Sequence, residues 1–163
     1  LFSLAGDILL MISLDRLFLP GLVAFLLAHI AYVIGFNTPI PGISAWGFFL
    51  AFIVGIGGVR ILRRITAPLA AQGQAGLRVP ILVYGVVIST MLLSAMLKLS
   101  DISWQAGAAL FVALGAFLFY LSDIILAWMK FIAPLQNGRI YNILTYHLGQ
   151  IALIAGVVMQ YTQ

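Results

Sequence analysis

The sequence predicts an all-α fold, a polytopic transmembrane helical bundle, and three observations carry the prediction. Hydrophobic residues make up 64% of the 163 and charged residues only 7%, where an ordinary soluble domain has about 25% charged. The charges are spaced so that the apolar runs between them approach the roughly 20 residues that cross a hydrocarbon core of about 30 Å. Six such helical segments can be marked out over residues 1–163. Their mostly short connections predict antiparallel neighbours in a single transmembrane domain.

The first segment, Leu1 to Leu14, is short and ends at Asp15 and Arg16. Because the chain opens on an apolar residue without Met, it reads as cropped, with further helices expected upstream. The second runs from about Leu17 to Phe36, with Pro20 in its first turn, where a missing N–H does no harm. Two prolines and a glycine in "NTPIPG", Asn37 to Gly42, predict a turn. The third segment covers about Gly42 to Leu62, and its Gly47, Ala51 and Gly55 form a small-residue stripe that predicts close approach of another helix. A polar, Gly-rich loop is expected from Arg63 to Arg78, followed by helices over about Val79 to Leu97, Ile102 to Met129 and Ile140 to Tyr161.

The chain has no Cys, which excludes disulfides, Cys-ligated metals and thiol catalysis on it. Its net charge of +4 does not point to nucleic acid, because no basic run interleaves with aromatics on a polar surface. Seven of the eight Lys and Arg, namely Arg16, Arg60, Arg63, Arg64, Arg78, Lys130 and Arg139, fall in alternate connections, and only Lys98 falls on the other side. That bias predicts the first set to be cytoplasmic and the C-terminus extracytoplasmic. Trp46, Trp104 and Trp128 each lie near a predicted helix end, as an aromatic belt requires. The expected location is a bacterial inner membrane.

A carboxylate in a membrane span costs about 3 kcal/mol on insertion scales, and such residues mark functional sites by default. Two acids meet this description, Asp7 and Asp123. Counting residues from the cytoplasmic helix ends puts Asp7 about 11 Å deep, Asp123 about 10 Å, Tyr84 about 9 Å and His147 about 12 Å, with His29 and Gln150 at about 16 to 18 Å. Four helices thus bring an ionisable or phenolic group to one slab near the cytoplasmic face, which predicts a shared interior cavity. Arg60, Arg63, Arg64 and Arg78 at that face could hold a phosphate headgroup.

The runs "GDILLM", "FLPGLVAFLLAHIAYVIGF", "GAFLFYLSDIILAWMKF" and "YHLGQIALIAG" together resemble the lysoplasmalogenase-like (YhhN-like) membrane proteins. The resemblance implies a family fold of usually eight helices and hydrolysis of the vinyl ether bond of lysoplasmalogens, yielding a fatty aldehyde and glycerophospho-ethanolamine or glycerophosphocholine. It also implies that the motif carboxylates are Asp7 and Asp123, the motif His is His29, and the late Tyr and Gln are Tyr146 and Gln150. His147 has no counterpart in the motif set.

Such chemistry needs an acid to protonate carbon, a base, and negative charge near an oxocarbenium ion, which two carboxylates in a low-dielectric pocket can divide between them. On this reading Asp7 and Asp123 are catalytic, His29, Tyr84, Tyr146, Gln150 and His147 support or orient, no cofactor or metal takes part, and the partner is a membrane lysophospholipid. The alternatives are a proton-coupled transporter whose acids form a relay, or a metal-dependent intramembrane lipid hydrolase.

Overall fold

Among the described residues six α-helices follow one another: α1 (Phe2–Ile12), α2 (Phe18–Phe36), α3 (Ala45–Thr66), α4 (Arg78–Leu97), α5 (Ala106–Phe131) and α6 (Gly138–Tyr161). Short 3₁₀ turns at Ala75–Leu77 and Lys98–Ser100 flank α4. The computed structural model describes residues 1–38 and 44–162, and among the described residues there is no strand. Most of the expected "NTPIPG" turn and the expected start of the third helix at Gly42 lie outside the described residues. Helices α2 to α6 are long and apolar enough to cross a membrane, whereas α1 has 11 residues and is too short to span alone.

Two helix limits differ from the expectation. α3 runs on through Thr66, because Arg60, Arg63 and Arg64 stay exposed while Ile65 and Thr66 are buried, and the Thr66 hydroxyl donates back to the Leu62 carbonyl at 2.8 Å. A charge ends a membrane span without ending a helix. α5 starts only at Ala106, since Asp101 captures the chain before it: Asp101 Oδ1 accepts from the Ser103 backbone at 3.0 Å and the Ser103 hydroxyl at 2.6 Å.

α4 stands in the middle and packs on α2, α3 and α5, while α1 lies on α2 and α6 lies on α5. Its buried Tyr84, Ile88, Met91, Leu92 and Ala95 meet Phe25, Phe36, Val112, Ala116, Phe119 and Leu153 in the main apolar core. A second cluster of Phe18, Ile65, Leu69, Ile81 and Phe131 closes the end that carries the basic residues.

The closest helix contact is not on the stripe expected for it. On that stripe a methyl on Gly47 would meet the Leu97 side chain at 3.2 Å and one on Gly55 meets nothing within 4 Å among the described residues, but one on Gly149 would meet the Phe119 nitrogen at 2.9 Å and the Gly115 carbonyl at 3.0 Å. One on Gly156 would meet the Ala108 carbonyl at 2.8 Å. α5 and α6 therefore touch backbone to backbone, which only small residues permit. Asn142 locks the pair by donating to the carbonyl and hydroxyl oxygens of Ser122, both at 2.8 Å.

At the opposite end from the arginines, buried Lys98 pairs with Asp101 at 2.9 Å. The Ser103 hydroxyl and then the Lys98 ammonium hold the Asp101 carboxyl down to about 2. Nearer the basic end, Lys130 pairs with exposed Asp15 at 2.8 Å and lowers that carboxyl as well.

Two outcomes are expected. Gly149→Ala should cost about 1–3 kcal/mol by forcing α5 and α6 apart, whereas Gly55→Ala should be neutral or stabilise by up to about 1 kcal/mol; thermal unfolding in detergent compares them, and equal effects would deny the backbone contact. Because the folded-state value of Asp101 lies below its unfolded value of about 3.9, its contribution is complete above about pH 4 and is lost as pH falls towards 2. The gap in thermal midpoint between the native chain and Asp101→Asn should accordingly close over that interval.

Candidate functional site

On α5, Tyr120, Asp123, Ile124, Ala127 and Phe131 recur at helical spacing and present one face to a cleft between the helices. The cleft has a volume of about 80 Å³. α2 contributes Phe18, Leu22 and Phe25, α3 contributes Ile61, Leu62 and Ile65, α4 contributes Ile81, Tyr84, Gly85 and Ile88, and α1 adds Leu10. Among these side chains only Asp123, Tyr84 and Tyr120 carry polar atoms, so the chemistry of the cleft converges on one short stretch of wall.

Asp123 is 19% exposed, and its Oδ2 accepts a hydrogen bond from the Tyr84 hydroxyl. His29 Nε2 stands 3.0 Å from the same hydroxyl and 3.7 Å from Asp123 Oδ2. The His29 ring is fully buried, edge-on to Phe119 at 4.7 Å between centroids. Counting along α2 put His29 well below Asp123, yet the two share a partner. Axial counting ignores helix tilt and the length of a tyrosine side chain, which here bridges the difference. Tyr120 accepts from the Ser89 hydroxyl at 3.3 Å on the α4 side of the cleft.

Asp7 belongs to a second network and does not line the cleft. The Tyr146 hydroxyl donates to Asp7 Oδ2 at 2.7 Å, Gln150 Nε2 donates to the Tyr146 hydroxyl at 3.3 Å, and the Tyr32 hydroxyl donates to Gln150 Oε1 at 3.3 Å. Phe119 is flanked by both networks, with the His29 ring on it and the Tyr146 ring 5.2 Å away. Five helices, α1, α2, α4, α5 and α6, therefore supply the two carboxylate clusters.

His147 points outward from α6, its Nδ1–H donating to the Ile143 carbonyl at 2.9 Å, and joins neither network by a hydrogen bond. Arg60, Arg63, Arg64 and Arg78 are exposed at the basic end of the cleft, the first three interleaved with the lining residues Ile61, Leu62 and Ile65. The Arg64 guanidinium covers the Trp128 ring at 4.8 Å. Lys130 also belongs to this end, over the rings of Phe18 and Phe131, both lining residues. Sequence reasoning counted it only towards topology. Tyr32 was missed as a network member although it lies one turn beyond His29 in the Ala-His-xx-Tyr run, which is the signal that could have found it. Among the described residues no three His, Asp or Glu come close enough to share a metal ion.

The profile of the YhhN family matches residues 1–157. Curated relatives include a protein of Homo sapiens described as Lysoplasmalogenase TMEM86B, 28% identical over 143 residues that cover 83% of this chain and 52% of the relative. The proteins of the same description from Mus musculus and Sus scrofa are each 28% identical, over 141 and 148 residues, covering 84% and 86% of this chain and 52% and 54% of the relatives. The chain thus spans about half the length of the curated relatives it matches. No solved structure matches it.

Proposed function

The chain belongs to the YhhN family, and on that footing we propose that it hydrolyses the vinyl ether bond of a lysoplasmalogen, releasing a fatty aldehyde and glycerophospho-ethanolamine or glycerophosphocholine. The observation that carries this reading is an apolar intramembrane cleft whose polar atoms gather around one carboxyl group, Asp123. Relatives described as lysoplasmalogenases support it.

A single-chain amphiphile suits the cleft. Its alkenyl chain lies against the Phe, Leu and Ile walls, and its phosphate meets Arg60, Arg63, Arg64, Arg78 and Lys130 at the rim. Asp123 and Lys130 are seven residues apart on α5, about 10 Å along the axis, a span of the order of a glycerophosphate. The basic rim faces the cytoplasm of a bacterial inner membrane, by the distribution of Lys and Arg, and the C-terminus lies on the other side.

The reaction begins when protonated Asp123 gives its proton to the vinyl carbon nearer the alkyl chain. The π pair forms the new C–H bond, and the carbon bearing the ether oxygen becomes an oxocarbenium ion facing the carboxylate just formed. Water adds to that carbon and returns a proton to Asp123, leaving a hemiacetal. The hemiacetal then breaks its C–O bond to the glycerol oxygen, which takes up a proton while the hydroxyl loses one, so that aldehyde and alcohol leave. Glycosidases treat a related cation with two carboxylates, and Asp7 supplies the second here. It acts through Tyr146, on the far side of Phe119, and keeps negative charge near the cation.

Aldehyde release from a lysoplasmalogen by the purified chain in detergent tests the reading. Asp123→Asn is expected to lower kcat by about 10³-fold, within the range of lost acid–base catalysis. Asp7→Asn should lower it by a smaller factor, about 10-fold to 10²-fold. Full activity in folded Asp123→Asn would defeat the assignment.

A further inference from the structure

We propose that Tyr84 and His29 are positioning residues for Asp123, forming a one-way donor chain from His29 Nε2–H to the Tyr84 oxygen and from the Tyr84 O–H to Asp123 Oδ2. The chain turns the other carboxyl oxygen towards the cleft and receives the charge that develops as the proton leaves. The inference rests on the vinyl ether reading for its chemistry and on geometry alone for its direction.

The direction follows from an orphaned atom. His29 Nδ1 is buried without a hydrogen-bond partner among the described residues, and the ring is wholly enclosed. If Tyr84 donated to His29, the imidazole proton would sit on Nδ1, and a buried N–H would be left without an acceptor. An imidazolium would leave the same N–H stranded. Buried orphan N–H groups are rarer than under-used acceptors, so the proton belongs on Nε2 and Nδ1 keeps only its lone pair. His29 must then donate to Tyr84 across the 3.0 Å contact. The single Tyr84 proton is therefore free for Asp123 Oδ2.

His29 reaches Asp123 only through Tyr84. The 3.7 Å between His29 Nε2 and Asp123 Oδ2 exceeds a hydrogen bond, and the edge-to-face packing on Phe119 holds the ring in place. Asp123 Oδ1 makes no hydrogen bond among the described residues, and Asp123 lines the cleft. A proton carried on Oδ1 faces substrate, while Oδ2 holds the donor.

When that O–H bond breaks and the C–H bond forms, charge spreads over both carboxyl oxygens. A donor already aimed at Oδ2 stabilises the change without reorganising, and burial strengthens each link of the chain. The Tyr84 hydroxyl, polarised by His29, plays towards this carboxyl group the part that oxyanion-hole donors play towards a substrate oxygen.

Kinetics on lysoplasmalogen with the full chain in detergent give the first test. Tyr84→Phe, nearly isosteric, should lower kcat by about 10²-fold with KM changed less than about 2-fold. His29→Leu should lower kcat in the same way, and the double variant should be no slower than Tyr84→Phe alone, because His29 acts only through Tyr84. His29→Gln, whose amide N–H can donate in its place, should recover most of the loss. Full kcat in Tyr84→Phe, additive losses in the double variant, or His29→Gln as slow as His29→Leu would each overturn the proposal.

A second readout needs no turnover. The infrared carboxyl band that disappears in Asp123→Asn should shift in Tyr84→Phe and in His29→Leu but hold its place in His29→Gln, and an unmoved band overturns the donor chain. Asp123→Asn also separates the two claims. If it stays fully active, the acid assignment fails; if it is dead while Tyr84→Phe runs at full rate, only the positioning chain fails.

Discussion

Where α5 and α6 cross, main chain lies on main chain: a methyl on Gly115 would meet the Leu153 nitrogen at 2.6 Å. Lipid tails are as apolar as Leu, so no hydrophobic force pulls helices together within a bilayer, and dispersion contact plus interhelical hydrogen bonds must hold them. The glycines supply the first and the Asn142 to Ser122 bonds supply the second. This contact sets the register of both carboxylate networks. Gly149, between Tyr146 and Gln150, rests on the backbone of Phe119, one turn before Asp123. A slip of one residue would turn Tyr146 away from Asp7 and separate Phe119 from its two neighbours.

The four acids divide by their place in the chain, and each place has its own kind of partner. Asp15 and Asp101, outside the spans, pair with Lys130 and Lys98. Asp7 and Asp123, within the apolar helices α1 and α5, each take a tyrosine hydroxyl instead. A lysine ammonium within the bilayer would add a second desolvated charge and hold the carboxylate ionised. A phenol satisfies the carboxyl oxygen without adding charge. Each phenol is in turn supported by another polar side chain, Tyr84 by His29 and Tyr146 by Gln150.

The polar members of the site were conspicuous in the sequence because the background is so apolar. Asp7, His29, Tyr84, Asp123, Tyr146 and Gln150 stand out in runs where ionisable and amide groups are costly. The cleft itself was not legible, since its walls are Phe, Leu and Ile residues identical in type to those facing outward. Nor were the glycines of the backbone contact: Gly47, Ala51 and Gly55 repeat more regularly than Gly149 and Gly156, yet among the described residues Gly47 meets only side chains and Gly55 meets nothing. Regular spacing reports a shared face and says nothing of what stands opposite.

Composition and the spacing of charges determined that the chain is helical, how many segments it has and where the costly polar groups fall, because span length and helical period act along a few turns of one helix. Tertiary structure decided the azimuth and tilt of each helix. It thereby decided that His29 meets Tyr84, that Asp123 opens on a cleft, and that Asp7 lies behind Tyr146 in a network of its own. Those facts depend on contacts between residues as far apart in the chain as Asp7 and Tyr146, whose bond spans 139 positions. No local pattern encodes such a distance.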